Sequence, residues 1–164
     1  RRFVDDTFRE DYEPTLEEKY TKKATFAGIP LTVEVIDTPG KELVSGQHDV
    51  YYCTSDAFVV CYAIDNKRSY EEAVKIFGQI AKFRGTHLIP RILVGTKLDT
   101  ESRVISLEAA NVLSAQLQCS FAETSALHNI NVTEVFEEIV SQVRYVEGMK
   151  KMEDEERTVS LFCC

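Results

Sequence analysis

The sequence predicts an α/β fold with a mostly parallel sheet flanked by helices. Short β-branched or apolar runs alternate along the chain with longer segments whose apolar residues recur at three-and-four spacing. This alternation is typical of βαβ units with right-handed crossovers. The chain has 164 residues, of which 44% are hydrophobic, so it is long enough for one domain with a sizeable core.

The strands are predicted from residue type. Two alternating runs, Tyr20 to Phe26 and a run that includes Val33 to Ile36, are joined near Ala27-Gly28, which predicts a hairpin with a tight turn. Ala57 to Ile64 is apolar throughout, as in a strand buried on both faces. The two remaining predicted strands are Ile92 to Gly95 and Ser120 to Ala122.

Three helices are predicted between and after these strands. Ser69 and Glu72 form a capping-box pattern that predicts the start of the first helix, and Asn131 or Thr133 is a cap candidate for the last. The apolar positions that mark the helices are Ala73, Ile76, Phe77 and Ile80, then Ala110, Leu113 and Leu117, then Val132, Val135, Phe136, Ile139, Val140, Val143 and Val146.

Composition excludes several function classes. The net charge of -8 makes a nucleic-acid backbone an unsuitable partner. The longest apolar run is too short to span a bilayer, and no basic-then-apolar segment opens the chain, so we expect a cytoplasmic protein. The cysteines show no metal-ligand spacing, and Cys53, Cys61 and Cys119 are predicted to be small buried residues.

The composition changes near the end of the last predicted helix. Residues 1–147 are predicted to form a single domain. Residues 148–164 are charged and of mixed sign before they end in Cys163-Cys164, and they are predicted to be a flexible tail.

Two motifs directly follow predicted strands, where ligands bind in parallel sheets. In Asp37-Thr38-Pro39-Gly40, the carboxylate is suited to Mg²⁺, and Gly40 lets a backbone N–H approach a phosphate. In Thr96-Lys97-Leu98-Asp99, a fixed Asp99 carboxylate would accept hydrogen bonds from guanine N1–H and its amine, a pair that adenine lacks. Such sites discriminate by roughly 10⁴-fold. For the first motif the alternative is a plain strand-end turn. For the second it is a surface lysine and aspartate in a loop.

Three weaker signals precede or follow these motifs. Glu123-Thr124-Ser125-Ala126 offers small residues whose backbone N–H groups can reach the carbonyl oxygen of a base. Thr15 offers a hydroxyl for Mg²⁺, with an ordinary loop threonine as the alternative. Phe8 is suited to stack on a base edge, although a lone aromatic residue more often belongs to the core.

Together these residues resemble the Ras-like small GTPases over nearly the whole chain. The resemblance implies a P-loop NTPase-type G domain that binds GTP or GDP with Mg²⁺. It implies metal ligation by Thr15 and Asp37, and catalytic roles for Thr15, Gly40 and Lys41. The implied guanine pocket consists of Phe8, Thr96, Lys97, Asp99, Ser125, Ala126 and Leu127.

The resemblance also implies a function and partners. A GTP/GDP switch in intracellular signal transduction would bind effectors through Glu10 to Thr15 and the loop after Asp37, and would have exchange factors and GTPase-activating proteins. Lys41 stands where the family usually places a glutamine that orients water, so slow hydrolysis is expected.

The branch within the family stays open. The core is Ras- or Rap-like, whereas Thr96 and the run Ser125-Ala126-Leu127 are Rho-like. The Cys163-Cys164 end resembles a Rab-type double-prenyl end, which implies anchoring at the cytoplasmic face of a membrane.

One departure concerns the fold. No G-x-x-x-x-G-K-[ST] phosphate loop is present, and in the family the strand before that loop lies mid-sheet, between the strands ending at Asp37 and near Ile64. We therefore expect a sheet that lacks this first, central strand and has two unpaired inner edges. Each buried unpaired backbone group costs about 1–3 kcal/mol, so poor folding is expected.

Two other function classes remain possible. One is a pseudo-GTPase that acts only as an interaction module, with no phosphate binding and no catalysis. The other is a different nucleotide-binding α/β domain, such as a dinucleotide binder, although the sequence contains no G-x-G-x-x-G motif.

Overall fold

The computed structural model describes residues 1–8, 18–38, 47–85, 89–148 and 158–164. In these ranges a six-stranded sheet is packed between helices, which confirms the predicted α/β class and the mostly parallel sheet. The elements in chain order are α1 (Arg2–Asp5), β1 (Glu18–Phe26), β2 (Ile29–Asp37), α2 (Gln47–Thr54), β3 (Ala57–Ala63), α3 (Lys67–Arg84), β4 (Arg91–Thr96), α4 (Leu107–Leu117), β5 (Ser120–Glu123), α5 (Val132–Gly148) and β6 (Thr158–Cys163).

The sheet has the strand order β1-β2-β6-β3-β4-β5. Only β1 and β2 pair in antiparallel fashion, and every other neighbouring pair is parallel. The turn between β1 and β2 consists of Ala27 and Gly28, whose φ angles of 50° and 82° are both positive. Two such residues match the right-handed twist of paired strands, and the predicted hairpin is confirmed.

The last strand, β6, occupies the middle of the sheet. Leu161 pairs with Val35 of β2 on one side and with Ala57 of β3 on the other. This is the position where the family resemblance placed the absent central strand. The expectation of two unpaired inner edges is therefore wrong, and so is the expectation of a flexible tail for residues 158–164.

The physical reason lies in the residues of β6 itself. Val159 and Leu161 point to one face of the sheet and Phe162 to the other, and all three are at most 1% exposed. A short β-branched and aromatic run of this kind gains both core packing and backbone pairing when it lies between two strands. Its partners, β2 and β3, are far away in sequence, so no local pattern predicts this pairing.

Hydrogen bonds fix β6 at both ends. At its start, the Asp56 carboxylate accepts from the Ser160 N–H at 3.0 Å. At its end, the backbone N–H and hydroxyl of Thr38 donate to the Cys163 carbonyl at 3.3 and 3.1 Å. The Cys164 N–H donates to the Val59 carbonyl at 3.1 Å. The strand is thus held along β2 up to its carboxyl end and against the first residues of β3.

The core has two layers, one on each face of the sheet. One layer packs the sheet against α1 and α5, through residues such as Phe3 and Ile139. The other packs it against α2, α3 and α4, through residues such as Tyr52 and Phe77. Since β6 contributes side chains to both layers, it belongs to the core of the domain.

Several local predictions need correction. Helix α3 begins at Lys67 and is capped by Asn66, whose side chain accepts from the Ser69 N–H at 3.1 Å, so the predicted capping box is wrong. Cys53 is exposed, in contrast to its predicted burial, while Cys61 and Cys119 are partly buried. Among the helices in the described ranges, none is long and apolar enough to cross a membrane.

Candidate functional site

The carboxyl ends of the parallel strands bring the sequence motifs to one edge of the sheet. Asp37 ends β2, Thr96 ends β4 and Glu123 ends β5. Asp65 comes just after β3 at the same edge. Ligands of open parallel sheets bind at this edge, so the structure supports a site there.

The Asp99 carboxylate is held by the loop after β5. The hydroxyl of Ser125, a fully buried residue, donates a hydrogen bond to Asp99 Oδ1. This bond is the main cause that lowers the pKa of Asp99, and the nearby His128 and Lys97 act in the same direction. The carboxylate is therefore charged at neutral pH, fixed on one side and exposed on the other.

Lys97 has an unusual backbone and a charged partner. Its φ of 63° lies in the left-handed region, which a non-glycine residue adopts only where the surrounding structure imposes it. Its ammonium lies 3.1 Å from the Asp65 carboxylate, and its side chain is 59% exposed. The ion pair holds the lysine stem across the edge of the sheet, where it is available to a planar ligand.

Backbone bonds tie the β4 and β5 loops together. The Thr124 N–H donates to the Gly95 carbonyl at 2.8 Å, and the Leu98 N–H donates to the Thr124 carbonyl at 2.9 Å. The Thr96 hydroxyl donates to the Tyr62 carbonyl at 3.0 Å, so it links β4 to β3. The two motifs thus form one rigid unit, in which Thr96 is held by the sheet.

Phe8, Ala126 and Leu127 lie on the exposed side of this unit. Phe8 and Leu127 are 40% and 41% exposed. Arg2 of α1 connects them, because its guanidinium donates to the Ala126 and Leu127 carbonyls and lies 5.9 Å from the centroid of the Phe8 ring. The structure therefore brings together all the described residues that were predicted for a base pocket.

Asp37 fits the predicted role of a cation ligand. Burial raises the pKa of its carboxyl group and Glu18 adds to this effect, whereas the positive charges of the amino terminus and Arg1 act in the opposite direction. In the part of the chain that the structure describes, no hydrogen bond or ion pair ends on this carboxylate. A partly buried carboxylate that is not held by such a contact is unfavourable in the free protein and is stabilised when a cation binds. No cluster of three or more metal-binding side chains occurs among the described residues.

Several predicted residues lie outside the described ranges. These are Thr15, Gly40 and Lys41, together with the effector-binding segment Glu10 to Thr15 and the loop after Asp37. Their roles in metal ligation, catalysis and partner binding stay predictions.

Comparison with known proteins identifies the family. A model of the Ras family matches residues 1–145. The chain belongs to the Ras family. It is 35% identical over 143 residues to the mouse "Ras-related protein R-Ras", and 35% identical over 143 residues to the "Ras-like protein rasS" of Dictyostelium discoideum. Each match covers 87% of this chain, and the chain spans 66% of the R-Ras protein and 74% of rasS.

This Ras-family chain also has site residues that sequence reasoning missed. Asp65 directly follows the apolar strand, as Asp37 does, so its position was a usable signal. Arg103 forms two 2.8 Å bonds to the Glu123 carboxylate and holds the end of β5 against the loop after Asp99. Arg2 also contacts the loop after β5. Neither arginine has a local sequence signal, because its partner is distant in the chain.

Proposed function

We propose that this chain is a guanine-nucleotide-binding switch that alternates between GTP and GDP in intracellular signal transduction and hydrolyses GTP slowly. The observation that carries the proposal is the Asp99 carboxylate, which Ser125 holds in a charged state at the edge of the sheet. Family membership supports the same reading. A fixed carboxylate recognises guanine because it accepts from N1–H and from the exocyclic amine at once.

Each residue of the pocket has a proposed role. Asp99 reads the base, the Lys97 stem lies against its face, and the backbone N–H of Ala126 donates to its carbonyl oxygen. Phe8 covers the edge of the base, while Thr96 and Leu127 shape the pocket. The exposure of Phe8 and Leu127 supports these contacts.

Asp37 and Thr15 are the proposed Mg²⁺ ligands. Bound Mg²⁺ would neutralise phosphate charge at this edge of the sheet. The raised pKa of Asp37, which burial causes, is consistent with a carboxylate that serves a cation. Thr15, Gly40 and Lys41 are the proposed catalytic residues. Single-turnover hydrolysis by Lys41→Gln in the natural full-length protein tests the slow rate, and an unchanged rate would contradict it.

The decisive experiment exchanges the base specificity. Asp99→Asn keeps the shape of the side chain, but the side-chain N–H of asparagine faces the exocyclic amine of guanine. Both groups are donors, so they cannot form a hydrogen bond. Xanthine carries a carbonyl at that position and still has N1–H, so asparagine pairs with it. We expect Asp99→Asn to lose GDP affinity and gain affinity for xanthosine diphosphate, measured by calorimetry. Loss of GDP binding without any gain for xanthosine diphosphate would refute the assigned role of Asp99.

One observation favours a second candidate function, an interaction module without phosphate binding. Cys163 pairs with Asp37 and Val59, so the end of β6 lies between β2 and β3, where the family resemblance places the strand that leads into the phosphate loop. Comparison of GDP with guanosine separates the two functions. A switch that contacts the phosphates of the nucleotide binds GDP much more tightly than guanosine. An interaction module without phosphate binding binds both equally or neither.

Proposed partners follow from the same reading. Effectors would contact Glu10 to Thr15 and the loop after Asp37, and exchange factors and GTPase-activating proteins would act on the same loops. Cys163 and Cys164 are the proposed sites of lipid attachment, which would place the protein at the cytoplasmic face of a membrane.

A further inference from the structure

Arg2 on α1 binds the loop that follows β5. Its Nε donates to the Ala126 carbonyl at 2.8 Å, and its Nη2 donates to the Leu127 carbonyl at 3.1 Å. Its Nη1 donates to the Asp6 carbonyl at 3.0 Å, which holds the guanidinium in place from its own side. The side chain is only 20% exposed. One planar fork therefore fixes two successive peptides of the loop.

These contacts continue to Asp99 without a break. The Leu127 carbonyl belongs to the same peptide group as the His128 N–H, which donates to Ser125 Oγ at 3.0 Å. The Ser125 hydroxyl donates in turn to the Asp99 carboxylate. A cation thus stands at one end of a chain of hydrogen bonds and an anion at the other. Bonds in such a chain polarise and strengthen one another.

Other contacts hold the base of the same loop. Ser125 and Ile130 exchange two backbone bonds of 3.1 and 2.9 Å, which close the loop at its ends. Of the contacts in the described ranges, those of Arg2 are the ones that join this loop to α1 and to the Phe8 ring. Removal of the guanidinium would therefore free the tip of the loop while its base stays closed.

We propose that Arg2 is a positioning residue for guanine recognition, acting on Asp99 through the Leu127–His128 peptide and Ser125. The inference rests on the proposed function, since it takes Asp99 as the residue that reads the base. Without Arg2 the peptide turns more freely, and the N–H that orients Ser125 is no longer fixed. The carboxylate then meets the exocyclic amine of guanine less well.

The first test compares Arg2→Met with Arg1→Met. Arg1 is a matched control because it binds Glu18 and Tyr20 at 3.3 and 3.1 Å, away from the loop. Affinities are measured for GDP and for inosine diphosphate, which lacks the exocyclic amine. We expect Arg2→Met to lower the preference for GDP by roughly threefold to tenfold and Arg1→Met to leave it unchanged. An equal loss for both nucleotides, or an unchanged preference, would overturn the proposal.

The second test needs no nucleotide. The Asp99 carboxyl carbon is titrated by NMR in the wild type and the two variants. We expect Arg2→Met to raise the pKa of Asp99, because the Ser125 bond that lowers it becomes weaker, and Arg1→Met to leave it unchanged. In a Ser125→Ala background, Arg2→Met should cause no further shift. An Asp99 pKa that is equal in Arg2→Met and the wild type would overturn the proposal.

The two tests separate this inference from the proposed function. A wild type that does not distinguish GDP from inosine diphosphate refutes guanine recognition, and the titration then still decides whether Arg2 positions Asp99. Should Arg2→Met not fold, Arg2→Lys takes its place, since it keeps the charge but has a single donor nitrogen in place of the planar fork. In Arg2→Lys we expect the pKa of Asp99 to rise by less than in Arg2→Met. An Asp99 pKa equal to that of the wild type would overturn the proposal.

Discussion

The central position of β6 makes Leu161 a sensitive point of the fold. The side chain is fully buried, and its partners on the two neighbouring strands, Val35 and Ala57, are buried as well, at 6% and 0% exposed. Leu161→Ala leaves a cavity that these neighbours cannot close. Substitutions of this kind cost about 2–5 kcal/mol, and we expect about 3 kcal/mol here because both sides of the strand are paired.

The assay is thermal unfolding followed by circular dichroism. A domain of this size loses about 2–4 °C per kcal/mol, so the melting temperature should fall by roughly 6–12 °C. Thr158→Ala is the control within the same strand, because the Thr158 side chain is exposed and its loss should cost about 0.5 kcal/mol or less. In hydrogen-exchange measurements, the Leu161 amide should exchange with solvent only through global unfolding.

A Leu161→Ala variant that melts with the wild type would refute this reasoning. So would rapid exchange of the Leu161 amide, since a frayed terminus is not protected. Either result would mean that β6 does not stay paired with β2 and β3, and the expectation of an unpaired centre would return.

Two further predictions concern the edge of the sheet. Asp37→Asn should raise the melting temperature at pH 7, because it removes a carboxylate whose pKa is raised by burial. The gain in melting temperature should vanish as the pH falls below 3.8, where the wild-type carboxyl group is protonated in the folded and the unfolded state. A gain that does not depend on pH would contradict this. Gly95→Ala should destabilise the folded protein by about 1–3 kcal/mol, since its Cβ would lie 2.9 Å from the buried Tyr62 hydroxyl. Gly78→Ala is the control: this position faces open space on α3, and alanine should stabilise the helix. Equal denaturation midpoints for the two variants would contradict the packing at Gly95.

Much of the sheet could be predicted because its signals are local. Ala57 to Ile64 is apolar at every position, and such a run has few stable places outside a buried strand. The Ala27-Gly28 turn was also predictable, since one of its two residues is a glycine between alternating runs. Motifs that directly follow these strands were then placed at one edge by topology alone.

The position of β6 could not be predicted because it depends on the rest of the sheet. The run from Thr158 to Cys163 has strand-like residues, but nothing within it tells which edges are available. Arg2 poses the same difficulty, since its partners are carbonyl groups 124 and 125 residues away. Backbone acceptors leave no pattern in the sequence, so contacts of this kind emerge only from the folded chain.

The proposed lipid anchor and the central strand use the same cysteines. Burial raises the pKa values of Cys163 and Cys164 well above the ordinary thiol value, and both residues are only partly exposed. Alkylation needs an accessible thiolate. Lipid attachment and a docked β6 therefore compete, and attachment requires the strand to leave the sheet.

This competition predicts an order of thiol reactivity. With iodoacetamide and mass spectrometry, exposed Cys53 should be modified first and Cys163 much later. Leu161→Ala should speed the modification of Cys163, because it weakens the docking of β6, and leave Cys53 unchanged, because Cys53 is already exposed. Equal rates for Cys53 and Cys163 in the wild type would contradict a docked strand. Such a result would leave both terminal thiols free for attachment, with no need for the strand to be released.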